Sequence, residues 1–508
     1  MSIFSCFSSA RPNFRNCLSW KFLCLFLLIF LIVLILHLGW AKWLLSVPNP
    51  LPQKSTISTR QKNSLEWGEY YETSVPPTGA AKYISADYRI WIPSGVETVR
   101  GVIVKQHGCG GDAATDMGLA HANDLQWQAL ATKHQLALLG SKYPTDYQTV
   151  GRYPDDPCNS WAVIDRGSEE ALLKALYEFG QKSHHPELDK LPWVLWGFSG
   201  GADWAIQMAQ KYPERTIASV LMRCGGVLIS PSEPSQLLTS NVDPAALGVP
   251  ILFAVGEKEN ADLFDECHNL PKKIFSRFRQ AGALWAIAVE ADMGHGSTDT
   301  RLLAIPYLDS ILTARLAPDS TKLRQIDEAT GWLANPVTHE IAPIKQYKGD
   351  PLQAAWLPDQ ETAYKWQAYI TNPNLWDKAR YSFCSNKKLL TLLGVPHLSE
   401  SCYPERVSPT RKPDAPNDVR AIRIGATEVV LTWNFIPEIE NGLPKFRIYR
   451  NNSLIATLQG QERDEGDAPI YPHVVLEFRD KAAAANDIYR VSAFNILGEN
   501  ISQPSNNS

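Results

Sequence analysis

Short apolar runs alternate with amphipathic stretches through the middle of the chain, between residues 81 and 316. Short apolar runs bounded by turn residues predict strands, and apolar residues at helical spacing predict helices. Strands are expected at 82–93, 99–106, 136–140, 194–196, 217–222 and 251–255, and helices at 124–134, 168–183, 202–211 and 301–315. Because strands that alternate with helices form mostly parallel sheets covered on both faces, this domain is expected to be α/β.

The hydrophobic pattern changes twice after residue 316. Residues 317–411 contain many Pro, Trp and Asn without clear periodicity, which predicts an irregular extension. Over 412–508, short alternating segments are separated by Gly, Pro, Asn and Asp, and this spacing predicts an all-β sandwich. The extension holds four tryptophans that are expected either to pin it to the preceding domain or to contact a substrate: Trp332, Trp356, Trp366 and Trp376.

An apolar segment without a formal charge lies near the N-terminus, at residues 22–40. Its length approaches the roughly 20 residues that cross a bilayer as a helix. Residues 1–21 contain Arg11, Arg15 and Lys21 and no acid, which favours a cytoplasmic N-terminus, with 41–80 as a tether. The sequence therefore predicts an uncleaved signal anchor and folded domains in the periplasm or outside the cell. A cleaved signal peptide and a secreted protein are the alternative.

The charge balance restricts the partners of the protein. The 508 residues carry 49 Lys and Arg against 53 Asp and Glu, a formal net charge of −4. Phosphate backbones are bound mainly through clustered cations, so nucleic acid is not expected as a partner.

Six of the nine cysteines follow the apolar segment, and an oxidising compartment permits disulfides among them. The alternative is that several of them are free, buried thiols. Proximity in the sequence favours the pairs Cys109 with Cys158, Cys224 with Cys267, and Cys384 with Cys402.

The strongest motif is Gly197-Phe198-Ser199-Gly200-Gly201, which fits G-x-S-x-G. It follows an apolar strand and precedes a helical segment, the context in which a sharp turn exposes a nucleophilic serine. Small neighbours are needed there because the backbone doubles back on itself. Ser199 is therefore the candidate nucleophile, and a simple glycine-rich turn is the alternative.

A second turn, His-Gly-Cys-Gly-Gly at 107–111, follows a predicted strand. Acyl transfer passes through a tetrahedral oxyanion, which two converging N–H donors stabilise. The turn is expected to supply one donor, from Cys109 or Gly110, and Gly200 at the start of a helix the other. His107 is expected to order the turn rather than to act as a base. A tight glycine turn without this role is the alternative.

An acid and a base follow the elbow in chain order. Glu259, shortly after the strand predicted at 251–255, is the candidate acid, with Glu257 and Asp262 as rivals. Among eleven histidines, His295 alone combines a place after a late strand with flanking glycines. In a catalytic triad the acid fixes the tautomer of the base and stabilises its imidazolium. The order serine, acid, histidine is that of α/β-hydrolases.

With these motifs, residues 82–316 resemble the α/β-hydrolases. More narrowly, they are similar to the extracellular esterases grouped with polyhydroxybutyrate depolymerases and with feruloyl and acetylxylan esterases. The narrower resemblance rests on the His-Gly-Cys at 107–109 and on Cys158-Asn-Ser-Trp161.

Residues 414–504 resemble a fibronectin type III module. Trp433 falls in the second predicted strand, and a Y-x-V-x-A-x-N-x-x-G pattern begins at Tyr489. Some polyester depolymerases carry such a module after the catalytic domain.

The motifs and the resemblance together predict a serine hydrolase at or outside the cell membrane. A carboxylesterase is favoured, acting through Ser199, His295, Glu259 and an acyl-enzyme, without a metal or an organic cofactor. The expected partners are a small-molecule or polymeric ester and, through the N-terminal helix, the membrane. Two alternatives stay open: a serine peptidase of the same fold, and a non-catalytic, envelope-bound protein that binds a partner or a carbohydrate. The oligomeric state and the acyl and alcohol specificity stay open as well.

Overall fold

The computed structural model describes residues 68–78, 81–109, 117–145, 158–226, 235–261, 265–291, 293–295, 301–317, 322–371, 412–434, 445–459, 477–495 and 497–507. The strands are β1 (Gly68–Val75), β2 (Ala86–Pro93), β3 (Gly101–Gln106), β4 (Leu136–Lys142), β5 (Trp193–Phe198), β6 (Thr216–Met222), β7 (Ile251–Gly256), β8 (Trp285–Glu290), β9 (Trp332–Ala334), β10 (Ile341–Pro343), β11 (Ala355–Leu357), β12 (Asn417–Arg423), β13 (Val429–Asn434), β14 (Lys445–Arg450), β15 (Ser453–Gln459), β16 (Glu477–Asp480), β17 (Tyr489–Asn495), β18 (Gly498–Ile501) and β19 (Asn506–Asn507). The helices are α1 (Met117–Ala120), α2 (Leu125–His134), α3 (Asn159–Ala162), α4 (Ser168–Ser183), α5 (Gly200–Lys211), α6 (Gln236–Thr239), α7 (Pro244–Leu247), α8 (Asp265–Gln280), α9 (Arg301–Arg315) and α10 (Gln360–Thr371).

A large mixed sheet forms the centre of the first domain. Within the described residues its strand order is β1-β2-β4-β3-β5-β6-β7-β8. Strand β2 is antiparallel to both β1 and β4, and the remaining neighbours from β4 to β8 are parallel. The predicted α/β class with a mostly parallel sheet is therefore confirmed.

The central strands are buried because helices cover the sheet. Every residue of β3, β6 and β7 is buried, as expected for apolar runs in a parallel sheet. The full chain has sixteen tryptophans, and nine of those in the described part are fully buried. They are Trp91, Trp127, Trp161, Trp193, Trp196, Trp204, Trp285, Trp356 and Trp366. Core packing therefore uses more than half of the tryptophans.

The first strand lies inside the segment that the sequence predicts to be a tether. Strand β1 pairs with β2 along its whole length, so the tether expected over 41–80 is wrong for Gly68–Val75. The strand has several exposed polar side chains, among them Glu69, Glu72 and Ser74. Polar side chains of this kind are typical of an edge strand. Residues 41–67 lie outside the described part.

The extension after the hydrolase-like region has regular structure, which corrects the irregular structure expected over 317–411. Strands β9, β10 and β11 form an antiparallel sheet, and α10 follows it. Trp356 and Trp366 are fully buried, and the indole N–H of Trp366 donates to the carbonyl oxygen of Ile287 in β8 at 2.8 Å. These tryptophans pin the extension to the large sheet. Residues 372–411, with Trp376, lie outside the described residues.

Two further sheets form the C-terminal domain. Among the described residues their strand orders are β16-β13-β12-β19 and β15-β14-β17-β18. Apolar side chains from both sheets share one core, in which the rings of Trp433 and Phe446 have centroids 5.5 Å apart. Two sheets around one core make a sandwich, as the strand spacing predicts. The likeness to a fibronectin type III module stays a prediction.

Both predicted disulfides that fall within the described residues are formed. They join Cys109 to Cys158 and Cys224 to Cys267. The third predicted pair, Cys384 with Cys402, lies outside the described residues.

The described residues contain no helix with the length and apolar character needed to cross a bilayer. The anchor predicted at 22–40 and the cytoplasmic segment predicted at 1–21 lie outside those residues, so both stay predictions.

Candidate active site

Ser199 lies on the turn between β5 and α5. Its backbone has a φ of 53° and a ψ of −121°, which residues with a side chain rarely adopt. The Ser199 N–H donates to the carbonyl oxygen of Met222 at 2.8 Å and so ties the turn to the end of β6. A strained serine held on a strand-to-helix turn is the geometry of a nucleophile elbow.

Close packing around this turn explains two glycines of the motif. A Cβ on Gly197 would lie 2.0 Å from the carbonyl oxygen of Gly201, and a Cβ on Gly201 would lie 2.4 Å from the carbonyl oxygen of His107. Backbone atoms that close cannot move aside as a flexible side chain can. Strand β5, helix α5 and the turn after β3 therefore approach each other only because these positions lack side chains.

Three side chains predicted from the sequence meet at one edge of the large sheet. His295 Nε2 lies 2.9 Å from Ser199 Oγ, and His295 Nδ1 lies 2.6 Å from Glu259 Oε1. Ser199 follows β5, Glu259 follows β7 and His295 follows β8. The carboxyl ends of these parallel strands lie at the same edge of the sheet. Because the carboxylate accepts from Nδ1–H, Nε2 is left to accept the serine proton.

Glu259 is completely buried, and each of its carboxylate oxygens accepts a hydrogen bond. Oε1 accepts from His295 as above, and Oε2 accepts the N–H of Gly256 at 2.6 Å. The rival Glu257 is exposed, and the rival Asp262 lies outside the described residues. The geometry therefore favours Glu259 as the partner of His295.

The first domain has the features of one known fold. These are the strand order, the antiparallel β2, the turn with Ser199 after β5, and the chain order serine, acid, histidine. The large mixed sheet and its helices fit the α/β-hydrolase fold. No family model and no curated protein matches the chain.

Solved structures of esterases are similar to part of this α/β-hydrolase-like chain. A thermostable esterase is 15% identical with a TM-score of 0.31, over 44% of this chain and 55% of that one. A ferulic acid esterase is 12% identical with a TM-score of 0.36, over 49% of this chain and 100% of that one. An S-formylglutathione hydrolase from Agrobacterium tumefaciens is 12% identical with a TM-score of 0.34, over 49% of this chain and 94% of that one. Each of these matches covers less than half of this chain.

The two residues expected to stabilise an oxyanion lie side by side. A Cβ on Gly200 would lie 2.0 Å from the Sγ of Cys109 and 2.3 Å from the Sγ of Cys158. Gly200 is the first residue of α5, so no residue of the helix can accept its N–H. The disulfide joins the turn after β3 to Cys158 and packs against Gly200 at the start of α5, where two N–H groups are expected to converge. Gly110, the alternative donor, lies outside the described residues.

A Gly200→Ala substitution is expected to reduce kcat by about 10²–10³-fold. The new methyl group would overlap both sulfurs of the disulfide, so the turn that carries Cys109 and the start of α5 must move apart. The measurement is kcat for p-nitrophenyl acetate. Gly248→Ala is the matched control, because a Cβ there meets nothing closer than 3.9 Å. Unchanged turnover in Gly200→Ala would contradict the expected place of the oxyanion.

His107 is buried at the start of the same turn. Its Nδ1–H donates to the carbonyl oxygen of Gly108 at 2.7 Å, and its ring lies edge-on to Trp161 with centroids 4.7 Å apart. Burial lowers the pKa of His107 to about 4. The ring is therefore uncharged at neutral pH, and its hydrogen bond within the turn is consistent with the predicted role of ordering it.

Because of His107, the protein is expected to lose stability as the pH falls from about 6.5 toward 4. In this range the unfolded chain binds a proton at His107 and the folded chain does not, whereas above it both states are neutral there. Between pH 8 and pH 5, His107 accounts for a loss of about 2 kcal/mol in the free energy of unfolding. Urea unfolding at both pH values should show that His107→Asn, whose amide takes no proton, loses about 2 kcal/mol less than wild type. Equal losses would argue against a neutral buried ring.

A buried ionic cluster near the triad was not expected from the sequence. The Arg223 guanidinium, directly after β6, pairs with the carboxylate of Glu290 at the end of β8. The Tyr369 hydroxyl on α10 donates to the same carboxylate at 2.6 Å. Burial by itself would lower the pKa of Arg223, but the nearby Glu290 carboxylate, its hydrogen bond, and the neighbouring Tyr369 and Glu259 outweigh burial and raise the pKa. The sequence shows Arg223 directly after one apolar strand and Glu290 at the end of another, but it does not show that the two pair or that Tyr369 of α10 contacts them.

Proposed function

We propose that the chain is a serine hydrolase, and specifically a carboxylesterase that works through an acyl-enzyme at Ser199. The observation that carries the proposal is the hydrogen-bonded series of Ser199, His295 and Glu259, with distances of 2.9 and 2.6 Å. A serine hydroxyl is a weak nucleophile by itself. A base within hydrogen-bond reach, oriented by a buried acid, activates it.

In the first half of the proposed reaction, Ser199 Oγ attacks the carbonyl carbon of the ester while His295 Nε2 takes the hydroxyl proton. The carbonyl oxygen becomes an oxyanion, and the N–H groups of Gly200 and Cys109 would hold it. The bond to the alcohol oxygen then breaks, and His295 gives its proton to the leaving alcohol. The acyl group is left on Ser199.

In the second half, a water molecule attacks the acyl carbon and His295 Nε2 takes its proton. The second oxyanion collapses, the bond to Ser199 Oγ breaks, and His295 returns the proton to that oxygen. Glu259 holds the ring in one orientation and stabilises the imidazolium in both halves. Water is consumed, and a carboxylic acid and an alcohol are released.

The proposed location is outside the cytoplasm, with the chain held by the predicted anchor at 22–40 or secreted. The disulfides Cys109–Cys158 and Cys224–Cys267 support this, because disulfides persist in oxidising compartments and are rare in the cytosol. The proposed substrate is a small-molecule or polymeric ester. The resemblance of the His-Gly-Cys at 107–109 to esterases of the depolymerase and feruloyl esterase group supports that class.

The experiment that tests the proposal is labelling of the full chain with a fluorophosphonate probe, together with turnover of p-nitrophenyl acetate. A fluorophosphonate forms a covalent bond with an activated serine. We expect labelling at Ser199 and measurable turnover. A folded protein that shows neither would contradict the proposal and favour a non-catalytic binding protein. Faster cleavage of peptide p-nitroanilides than of p-nitrophenyl esters would contradict the esterase and favour a peptidase.

A further inference from the structure

Helix α8 places a buried histidine against the loop that carries the triad acid. His268 is 4% exposed, and its Nδ1 lies 2.8 Å from the carbonyl oxygen of Gly256, the last residue of β7. A carbonyl oxygen only accepts hydrogen bonds, so Nδ1 carries the proton and donates it. His268 therefore holds the peptide at which the acid loop leaves the sheet.

The same glycine also contacts the acid itself. The Gly256 N–H donates to Glu259 Oε2 at 2.6 Å, while Glu259 Oε1 lies 2.6 Å from His295 Nδ1. The backbone of Gly256 is thus hydrogen-bonded on one side to His268 and on the other to the carboxylate. A rotation of this backbone would displace the carboxylate from His295.

The His268 ring is itself fixed from two directions. The Lys272 ammonium, one turn further along α8, donates to His268 Nε2 at 2.6 Å. This fixes the tautomer, because Nε2 must be the unprotonated nitrogen. The preceding residue, Cys267, forms the disulfide with Cys224 just after β6. The first turns of α8 are therefore attached to the sheet covalently.

The acid loop is also attached to the loop of the base. The backbone N–H of Lys258 donates to the carbonyl oxygen of Met293 at 2.7 Å, two residues before His295. A shift of the acid loop would therefore move both Glu259 and the loop that carries His295.

We propose that His268 is a positioning residue for the triad, whose Nδ1–H bond to Gly256 holds the Glu259 carboxylate against His295. This inference rests on the proposed hydrolase function. His268 touches neither the substrate nor the reacting atoms, so its effect falls on the activation of Ser199 and not on substrate binding.

The test uses two substitutions of nearly equal shape in the full chain. His268→Leu removes the hydrogen-bond donor. His268→Asn keeps one, because the amide nitrogen of asparagine is bonded to Cγ, as Nδ1 of histidine is. We expect His268→Leu to lower kcat for p-nitrophenyl acetate about tenfold with KM unchanged, and to slow fluorophosphonate labelling by the same factor. His268→Asn should stay within about threefold of wild type in both measurements.

Wild-type kcat and labelling in a folded His268→Leu variant would overturn the inference. An equal loss in His268→Leu and His268→Asn would also overturn it, because the ring volume rather than the donor would then matter. If His268→Leu does not fold, His268→Met replaces it, because methionine also lacks the donor and fills more of the volume of the ring. A kcat below wild type then supports the inference, and an unchanged kcat overturns it. A folded wild-type protein without turnover or labelling would instead overturn the proposed function.

Discussion

A Ser199→Ala variant is expected to hydrolyse p-nitrophenyl acetate on the order of 10⁴–10⁶ times more slowly than wild type. The substitution removes the oxygen that forms the acyl-enzyme, and His295 then has no serine proton to take. The alanine methyl group occupies the place of the serine Cβ, so the urea midpoint should stay close to that of wild type. The measurements are initial rates and fluorophosphonate labelling, and the label should disappear.

Ser74→Ala is the matched control for this variant. Ser74 is an exposed residue of β1 whose hydroxyl donates to Asp87 at 2.6 Å, and it lies outside the triad. Turnover and labelling of Ser74→Ala should equal those of wild type. If Ser199→Ala kept wild-type turnover, the nucleophile would have to be another residue and the proposed mechanism would be wrong.

An Arg223→Met variant is expected to be less stable than wild type by about 3–5 kcal/mol. The Glu290 carboxylate is 6% exposed and would keep its charge in a buried place after losing the cation that faces it. Removal of one partner of a buried ion pair is therefore far more destabilising than loss of an exposed pair. Urea unfolding at neutral pH measures the difference.

The double variant Arg223→Met with Glu290→Leu separates the ion pair from the isolated charge. Apolar residues that replace both partners of a buried pair often leave stability close to that of wild type. The double variant should therefore be clearly more stable than Arg223→Met. A double variant as unstable as the single one would show that packing at Arg223, and not the charge of Glu290, causes the loss.

Much of the first domain could be predicted from the sequence because its elements are long and strongly patterned. Helices α4 and α9 have the predicted bounds, Ser168–Ser183 and Arg301–Arg315. The three side chains of the candidate site could be placed because each follows an apolar strand, and parallel strands bring their carboxyl ends to one edge. The motif around Ser199, the strand before each residue and the parallel sheet together predicted that Ser199, Glu259 and His295 lie at one edge.

Other parts could not be predicted for physical reasons. Strand β1 is a polar edge strand that follows a segment rich in Pro, Ser and Thr, so its pattern is that of a linker. Strands β9, β10 and β11 have three residues each, too few to show a period of two. His268 lies among polar residues of α8, and its acceptor on Gly256 is twelve positions away. Only tertiary structure distinguishes such a buried donor from a solvated one.

The extension that packs on β8 also determines how short the protein can be made. β8 is an outer strand of the large sheet in the described residues, and its sequence Trp-Ala-Ile-Ala-Val-Glu carries a charge only at its end. The indole N–H of Trp366 donates a hydrogen bond to the carbonyl oxygen of Ile287 on that strand. An uncovered apolar edge pairs readily with a strand of a second molecule. A chain shortened at residue 316 would lose this cover and is therefore expected to aggregate through β8, whereas a chain that continues to Thr371 keeps it.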